Sequence, residues 1–230
     1  LAPRDKVSRS IMQEMARTDH THVYLDATAM SREHLEKRFP TITGLCDEFD
    51  LDVSEDLIPV RPAAHYSIGG VETDEFGRTT LRDLYACGEV ASTAVHGANR
   101  LGSNSLLEGL VFGHRAGVEA AKEAREAGRP TAAGSVESAP AKPGRGPLNL
   151  TDVANSLRSL MWREVGVERT EEGLNEAVDT IEFWCHYVMD RELDQPGGWE
   201  LQNMLTTARL LASSALMRTE SRGVHFRTDH

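Results

Sequence analysis

A chain of 230 residues, 40% hydrophobic and 27% charged, is long enough for one large or two modest domains with their own cores. Its 36 acidic against 25 basic residues leave a net charge of −11, which argues against nucleic acid or an anionic membrane as the main partner. No apolar run reaches about 18 residues, so no transmembrane helix is expected, and Cys46, Cys87 and Cys185, far apart and odd in number, fit a reducing compartment and offer no metal framework.

Leu1 is not a methionine, no leader pattern follows it, and the chain stops at Thr228-Asp229-His230. Part of a longer protein is the expectation. Val7, Ile11 and Met15 lie at a spacing of four and predict a helix over 5–17, with Asp5 as its N-cap. His22 to Asp26 alternates and reads as a short strand, Ser31 opens a second helix that Pro40 ends, and a third helical stretch covers 42–49. From Val60 the pattern turns to β. Residues 70–73, a turn at Asp74-Glu75-Phe76-Gly77 and residues 78–80 make a hairpin. Leu84-Tyr85-Ala86-Cys87 reads as a buried strand ending in Gly88-Glu89.

Residues 104–127 predict one long helix with Gly109, Gly113 and Gly117 on one face. His114, Arg115 and Glu119 exclude a membrane span, so close backbone packing is the expected reason for those glycines. Residues 128–149 are rich in Gly, Pro, Ala and Ser and read as a linker. Three helices follow, over 151–165, 170–190 and 198–219, with Trp162, Trp184 and Trp199 expected to anchor their packing.

The chemistry concentrates in residues 62–108. A strand ending in glycine and an acid lets a cofactor approach closely, and the Glu89 carboxylate suits sugar or ribitol hydroxyls; a solvated turn glutamate is the plain alternative. Asn104-Ser105-Leu106 begins the long helix, where free N–H groups and the helix dipole favour an anion or a polarised carbonyl, against simple N-capping by Ser103 or Asn104. His65 and Arg100 each follow a glycine-, proline- or alanine-rich turn, and together such cations suit a dicarboxylate. Arg4 alone reads as a surface residue. His20 with His22, and His225 with His230, lack companion ligands, so no metal is expected.

Leu1-Ala2-Pro3-Arg4-Asp5, residues 62–70, Gly88-Glu89-Val90, His96-Gly97-Ala98-Asn99-Arg100 through Leu107-Glu108, and Glu220-Ser221-Arg222-Gly223-Val224-His225 closely resemble the L-aspartate oxidase family. That family lies within the succinate dehydrogenase and fumarate reductase flavoprotein superfamily. The likeness runs from end to end. Pro3 before Arg4, the run from Ser103 to Glu108, the short 70–84 hairpin and the 130 residues after Arg100 favour the oxidases, while Gly102 is slightly dehydrogenase-like.

The resemblance implies an α+β chain made of part of a capping domain (1–60), the C-terminal part of an FAD-binding α/β domain (61–127), the linker and a three-helix C-terminal domain (150–230). It implies non-covalent FAD and oxidation of L-aspartate to iminoaspartate, with oxygen or fumarate as acceptor, as the first step of NAD formation in the cytoplasm. Quinolinate synthase is the implied consumer of the product. His65 and Arg100 would hold substrate carboxylates and Arg4 would serve proton transfer. Glu89 would bind the ribitol, and Ser105 and Leu106, with Asn104 in the same turn, would face the flavin. No Gly-x-Gly-x-x-Gly follows a strand here, so weak or absent FAD binding and no activity are expected of the chain alone. A fumarate reductase or succinate dehydrogenase flavoprotein is the alternative within redox chemistry. A non-catalytic helical interaction module over 150–230 is the alternative outside it.

Overall fold

The computed structural model describes residues 2–128 and 148–230, so the expected linker lies, except at its two ends, outside the described residues. The chain divides into two compact units, Leu1–His65 and Tyr66–His230.

In the first unit, helix α1 (Arg4–Thr18) starts behind Pro3, whose φ of −56° suits a helix entry and whose side chain makes no cap. Asp5, expected as the cap, is instead inside the first turn. There its carboxylate faces the positive end of the helix and pairs with Arg9 at 3.0 Å. Strand β1 (Val23–Leu25) runs antiparallel to β2 (Ile58–Val60), with Val23 opposite Val60. Helix α2 (Arg32–Arg38) is capped by Ser31, whose hydroxyl accepts the His34 N–H at 3.3 Å. Pro40 starts helix α3 (Pro40–Asp47) as well as stopping α2, because the N1 position has no intrahelical N–H to lose; the helix therefore begins two residues before its expected start. Ala27, Leu35, Cys46 and Val53 form this unit's small core. Arg32 ties α2 to α3 and the loop beyond it by reaching Glu36 and Asp47, both at 2.8 Å, and Asp52 at 3.1 Å.

The second unit opens with β3 (Val71–Glu72), which lies parallel to β4 (Ala91–Ser92). The turn between Asp74 and Gly77 forms as expected. The Asp74 carboxylate accepts the N–H groups of Phe76 and Arg78 at 2.8 and 2.9 Å, and Thr73 bridges Thr79. The buried strand expected over 84–87 does not form. Only Tyr85 bridges, to Arg78, Leu84 is 47% exposed, and among the described residues no strand lines the segment's other side.

Helix α4 (Asn104–Ala127) matches its expected bounds. Arg78 fastens the hairpin to it through Glu119 and, at 2.9 Å, Glu123. Gly77, at φ +79°, lies so close that a β-carbon there would stand 2.8 Å from the Ala116 Cβ. The glycine stripe of α4 has a packing reason at one position only. A Cβ at Gly113 would lie 3.8 Å from Cys87 Sγ, whereas Gly109 and Gly117 face open space among the described residues.

Helices α5 (Leu150–Glu164), α6 (Glu171–Val188) and α7 (Pro196–Leu216) pack around Leu157, Leu160, Leu174, Ile181, Leu201 and Leu205. Buried Ala177, Ala208 and Ala212 let the helices approach. The tryptophans are not the anchors expected: Trp199 is 52% exposed, Trp162 is half-buried and Trp184 packs at the core's margin. Aliphatic side chains of matching size fill the seams and leave the indoles to the rim. The architecture is helix-rich with few short strands.

Candidate active site

Four sequence stretches of the second unit meet around one end of α4. The parallel β3–β4 pair brings the segment after Tyr66 beside Gly88–Ser92. Gly70, at φ +144°, touches the Val90 carbonyl, and a β-carbon there would stand 2.2 Å from that oxygen. Gly88–Val90 is a short 3₁₀ turn packed against α4, entered through Gly88 at φ +75°. Glu89 is exposed, and its carboxylate accepts the Ser67 N–H at 2.9 Å.

At the centre stands Glu108, one turn into α4 and 3% exposed. Its carboxylate accepts the Thr93 hydroxyl at 2.5 Å and the Tyr66 hydroxyl at 2.8 Å, and lies 2.8 Å from His96 Nε2. Burial pushes this carboxyl up, but the bonds from Thr93, Tyr66 and His96 together outweigh it and hold it below the usual range. Burial, then the neighbouring Glu108 carboxylate, push the Tyr66 phenol up. Tyr66 and His96 meet edge to face at 5.4 Å.

Arg100 lies on this assembly. Its guanidinium carbon sits 4.5 Å from the centre of the Tyr66 ring, and its Nη1 donates to the Leu101 carbonyl at 3.4 Å. The turn carrying Arg100 is also held from behind. The Val224 N–H donates to the Ala98 carbonyl at 2.9 Å, and Gly223, at φ +60°, presses so close that a β-carbon would lie 2.0 Å from that oxygen. The Gly223 loop is itself fixed by Arg227, 1% exposed, which grips Asp229 at 2.7 and 2.9 Å, and by the Ser221 hydroxyl, which donates to the Arg227 carbonyl at 2.9 Å. Beneath the loop, Arg169 donates to His225 Nδ1 at 2.7 Å, leaving Nε2–H to donate to the Arg218 carbonyl at 3.3 Å.

The first turn of α4 is open. Ser103 at its start has φ +70° and makes no side-chain cap, so capping by Ser103 does not apply and the N–H groups of the first turn, those of Ser105 and Leu106 among them, are left for another acceptor. Ser105 and Asn104 are half-buried, whereas Leu106 is 77% exposed. The structure thus gathers Glu89, Arg100, Asn104, Ser105 and Leu106 at one end of α4. Arg4 and His65 belong to the first unit, where Arg4 opens α1 and both are exposed.

Family profiles match most of the chain: one described as an FAD binding domain over residues 1–106, and one described as a fumarate reductase flavoprotein C-terminus over 154–230. The whole chain aligns with the L-aspartate oxidase of Streptomyces coelicolor at 41% identity, covering 41% of that protein. It belongs to the succinate dehydrogenase and fumarate reductase flavoprotein family. Within that flavoprotein family, a fumarate reductase (CoM/CoB) subunit of Methanothermobacter marburgensis is 36% identical over the whole chain and 44% of its own length. Among solved structures, a quinol fumarate reductase FrdA from E. coli is similar over 99% of this chain and 43% of its own, with TM-score 0.84 and 32% identity. Sdh1 of Mycobacterium smegmatis gives TM-score 0.80 and 33% identity over the whole chain and 42% of its own. The chain therefore spans somewhat under half the length of these relatives.

The residues present fit the flavin group that the family implies. Gly88 and Gly97 have positive φ with open space where a β-carbon would stand. The uncapped first turn of α4 offers N–H donors, Glu89 offers an exposed carboxylate, and exposed Val90 and Leu106 offer apolar surface.

Sequence reasoning missed Tyr66, Thr93, His96 and Glu108 as a unit. The signal was present in Leu106-Leu107-Glu108-Gly109-Leu110: a lone acid in an apolar helical stretch is costly to bury unless it is partnered.

Proposed function

We propose that the intact protein carries out FAD-dependent oxidation of L-aspartate to iminoaspartate, with oxygen or fumarate as electron acceptor. One observation carries this reading: Arg100 is held on the Tyr66 face beside the uncapped start of α4, which sets a fixed cation next to free N–H donors. Arg100 is a two-pronged donor for one substrate carboxylate, and His65 serves the other. Holding both carboxylates orients the Cα–H bond and removes the entropic cost of finding that pose. Bound FAD would supply the hydride acceptor for the Cα–H bond that breaks as the C=N bond forms. The amino group gives up a proton in the same oxidation, and Arg4 is the proposed participant in its transfer. A free guanidinium holds its proton firmly, so that role requires an acidic partner. Glu89 would hold the ribitol hydroxyls, and the Ser105 and Leu106 N–H groups, beside Asn104, would face the electron-rich edge of the flavin.

In this reading residues 1–60 are part of a capping domain, 61–127 the C-terminal part of the FAD-binding domain and 150–230 a helical domain. The reaction is the first step of NAD formation in the cytoplasm, with quinolinate synthase as the consumer of iminoaspartate. Arg100→Leu in the full-length enzyme tests the site. The KM for L-aspartate is expected to rise about tenfold to a hundredfold, since a charge-assisted contact is lost. An unchanged KM would remove Arg100 from the substrate. The second reading, a fumarate reductase or succinate dehydrogenase flavoprotein, is favoured by Gly102 and by the 36% identity to a fumarate reductase subunit.

A further inference from the structure

We infer that Glu108 and Tyr66 are positioning residues for substrate recognition, holding Arg100 in its carboxylate-binding pose; this rests on the reading of Arg100 above. Glu108 is buried, and the bonds it accepts come from three separate places in the chain: Tyr66 ahead of β3, Thr93 after β4 and His96 in the turn that leads to Arg100. One carboxylate therefore fixes the ring under the guanidinium and also the turn that carries it. The Tyr66 hydroxyl points at Glu108 while its face meets Arg100, so the ring links the buried anion to the cation. A ring tethered by its hydroxyl cannot swing away when substrate draws the guanidinium forward. Tyr66 also directly follows His65, the other proposed carboxylate ligand, in sequence.

A merely structural Glu108 would support the fold without regard to Arg100. A positioning Glu108 acts through Arg100, and its effect on substrate vanishes once Arg100 is gone. The test is a double-mutant cycle in the full-length, FAD-loaded enzyme, using Glu108→Gln, Tyr66→Phe and Arg100→Leu. Its readouts are the KM and kcat for L-aspartate and the dissociation constant of succinate, read from perturbation of the flavin spectrum. Glu108→Gln and Tyr66→Phe are each expected to raise KM and the succinate constant about fivefold to tenfold, with kcat changed much less. In the Arg100→Leu background neither is expected to add more than about twofold. Additive effects, or an unchanged KM in Tyr66→Phe, would overturn the inference. Tyr66→Phe leaves the buried carboxylate in place, so it decides the matter should Glu108→Gln fail to fold. A wild-type enzyme whose flavin responds to neither L-aspartate nor succinate would instead overturn the reading of the site itself.

Discussion

A guanidinium laid on an aromatic ring spends none of its N–H donors on that contact, and Arg100 is held by the Tyr66 face and the Leu101 carbonyl with no carboxylate partner among the described contacts. His225 shows the opposite logic. Burial lowers its proton affinity, and Arg169 and Arg218 nearby lower it further, against the Arg218 carbonyl that favours the proton. The ring is neutral, with Nδ1 accepting from Arg169. A group whose folded pKa lies below its ordinary 6.5 contributes stability that is complete above that value and lost as pH falls through the folded value. Thermal stability of the chain is therefore expected to fall as the pH is lowered from about 7 through the ordinary histidine range. His225→Gln is expected to remove that part of the slope, and a variant with the wild-type slope would show that His225 does not titrate on unfolding. The sequence displayed Arg100, His65 and Glu89 through their motifs, but it marked Glu108 only as a lone acid among apolar residues, without its partners. Burial of an acid is a tertiary fact, and its partners Tyr66 and Thr93 stand 42 and 15 residues away.

At the scale of elements, long periodic segments were legible. The helices α4 to α7 form within a few residues of their expected bounds, because apolar spacing and caps such as Asn149 and Thr170 agree. The 84–87 segment was not legible as it stands, since an apolar run says nothing of whether a neighbouring strand is present to pair with it. The tryptophans misled because size alone does not place a side chain in a seam that alanines have narrowed. Two substitutions test this level. Leu205→Ala, at a fully buried position between the C-terminal helices, is expected to cost about 2–5 kcal/mol by chemical denaturation; a loss below about 1 kcal/mol would contradict a core centred on that residue. Gly223→Ala forces a β-carbon onto the Ala98 carbonyl and strains a positive φ, so it is expected to displace the Arg100 turn. In the full-length enzyme it is expected to raise the KM for L-aspartate severalfold, although Gly223 is not among the proposed substrate ligands. A wild-type KM would show that the turn is held without the C-terminal loop.

For the molecule as a whole, the C-terminal helices belong to the same compact unit as the candidate site, and the loop after them buttresses the turn that bears Arg100. This counts against a free-standing interaction module. Among the described residues no helix is long and apolar enough to cross a membrane. The edge proposed to face the flavin comes without a glycine fingerprint for a dinucleotide, so the chain purified alone is expected to retain far less than one flavin per chain. A stoichiometrically yellow 230-residue protein would contradict that. The most direct test of the proposed reaction is anaerobic loss of the flavin's visible absorbance in the full-length enzyme, with L-aspartate set against succinate. Bleaching by L-aspartate and not by succinate is the expected result. Bleaching by succinate alone would contradict the oxidase reading and move the protein to the dehydrogenases.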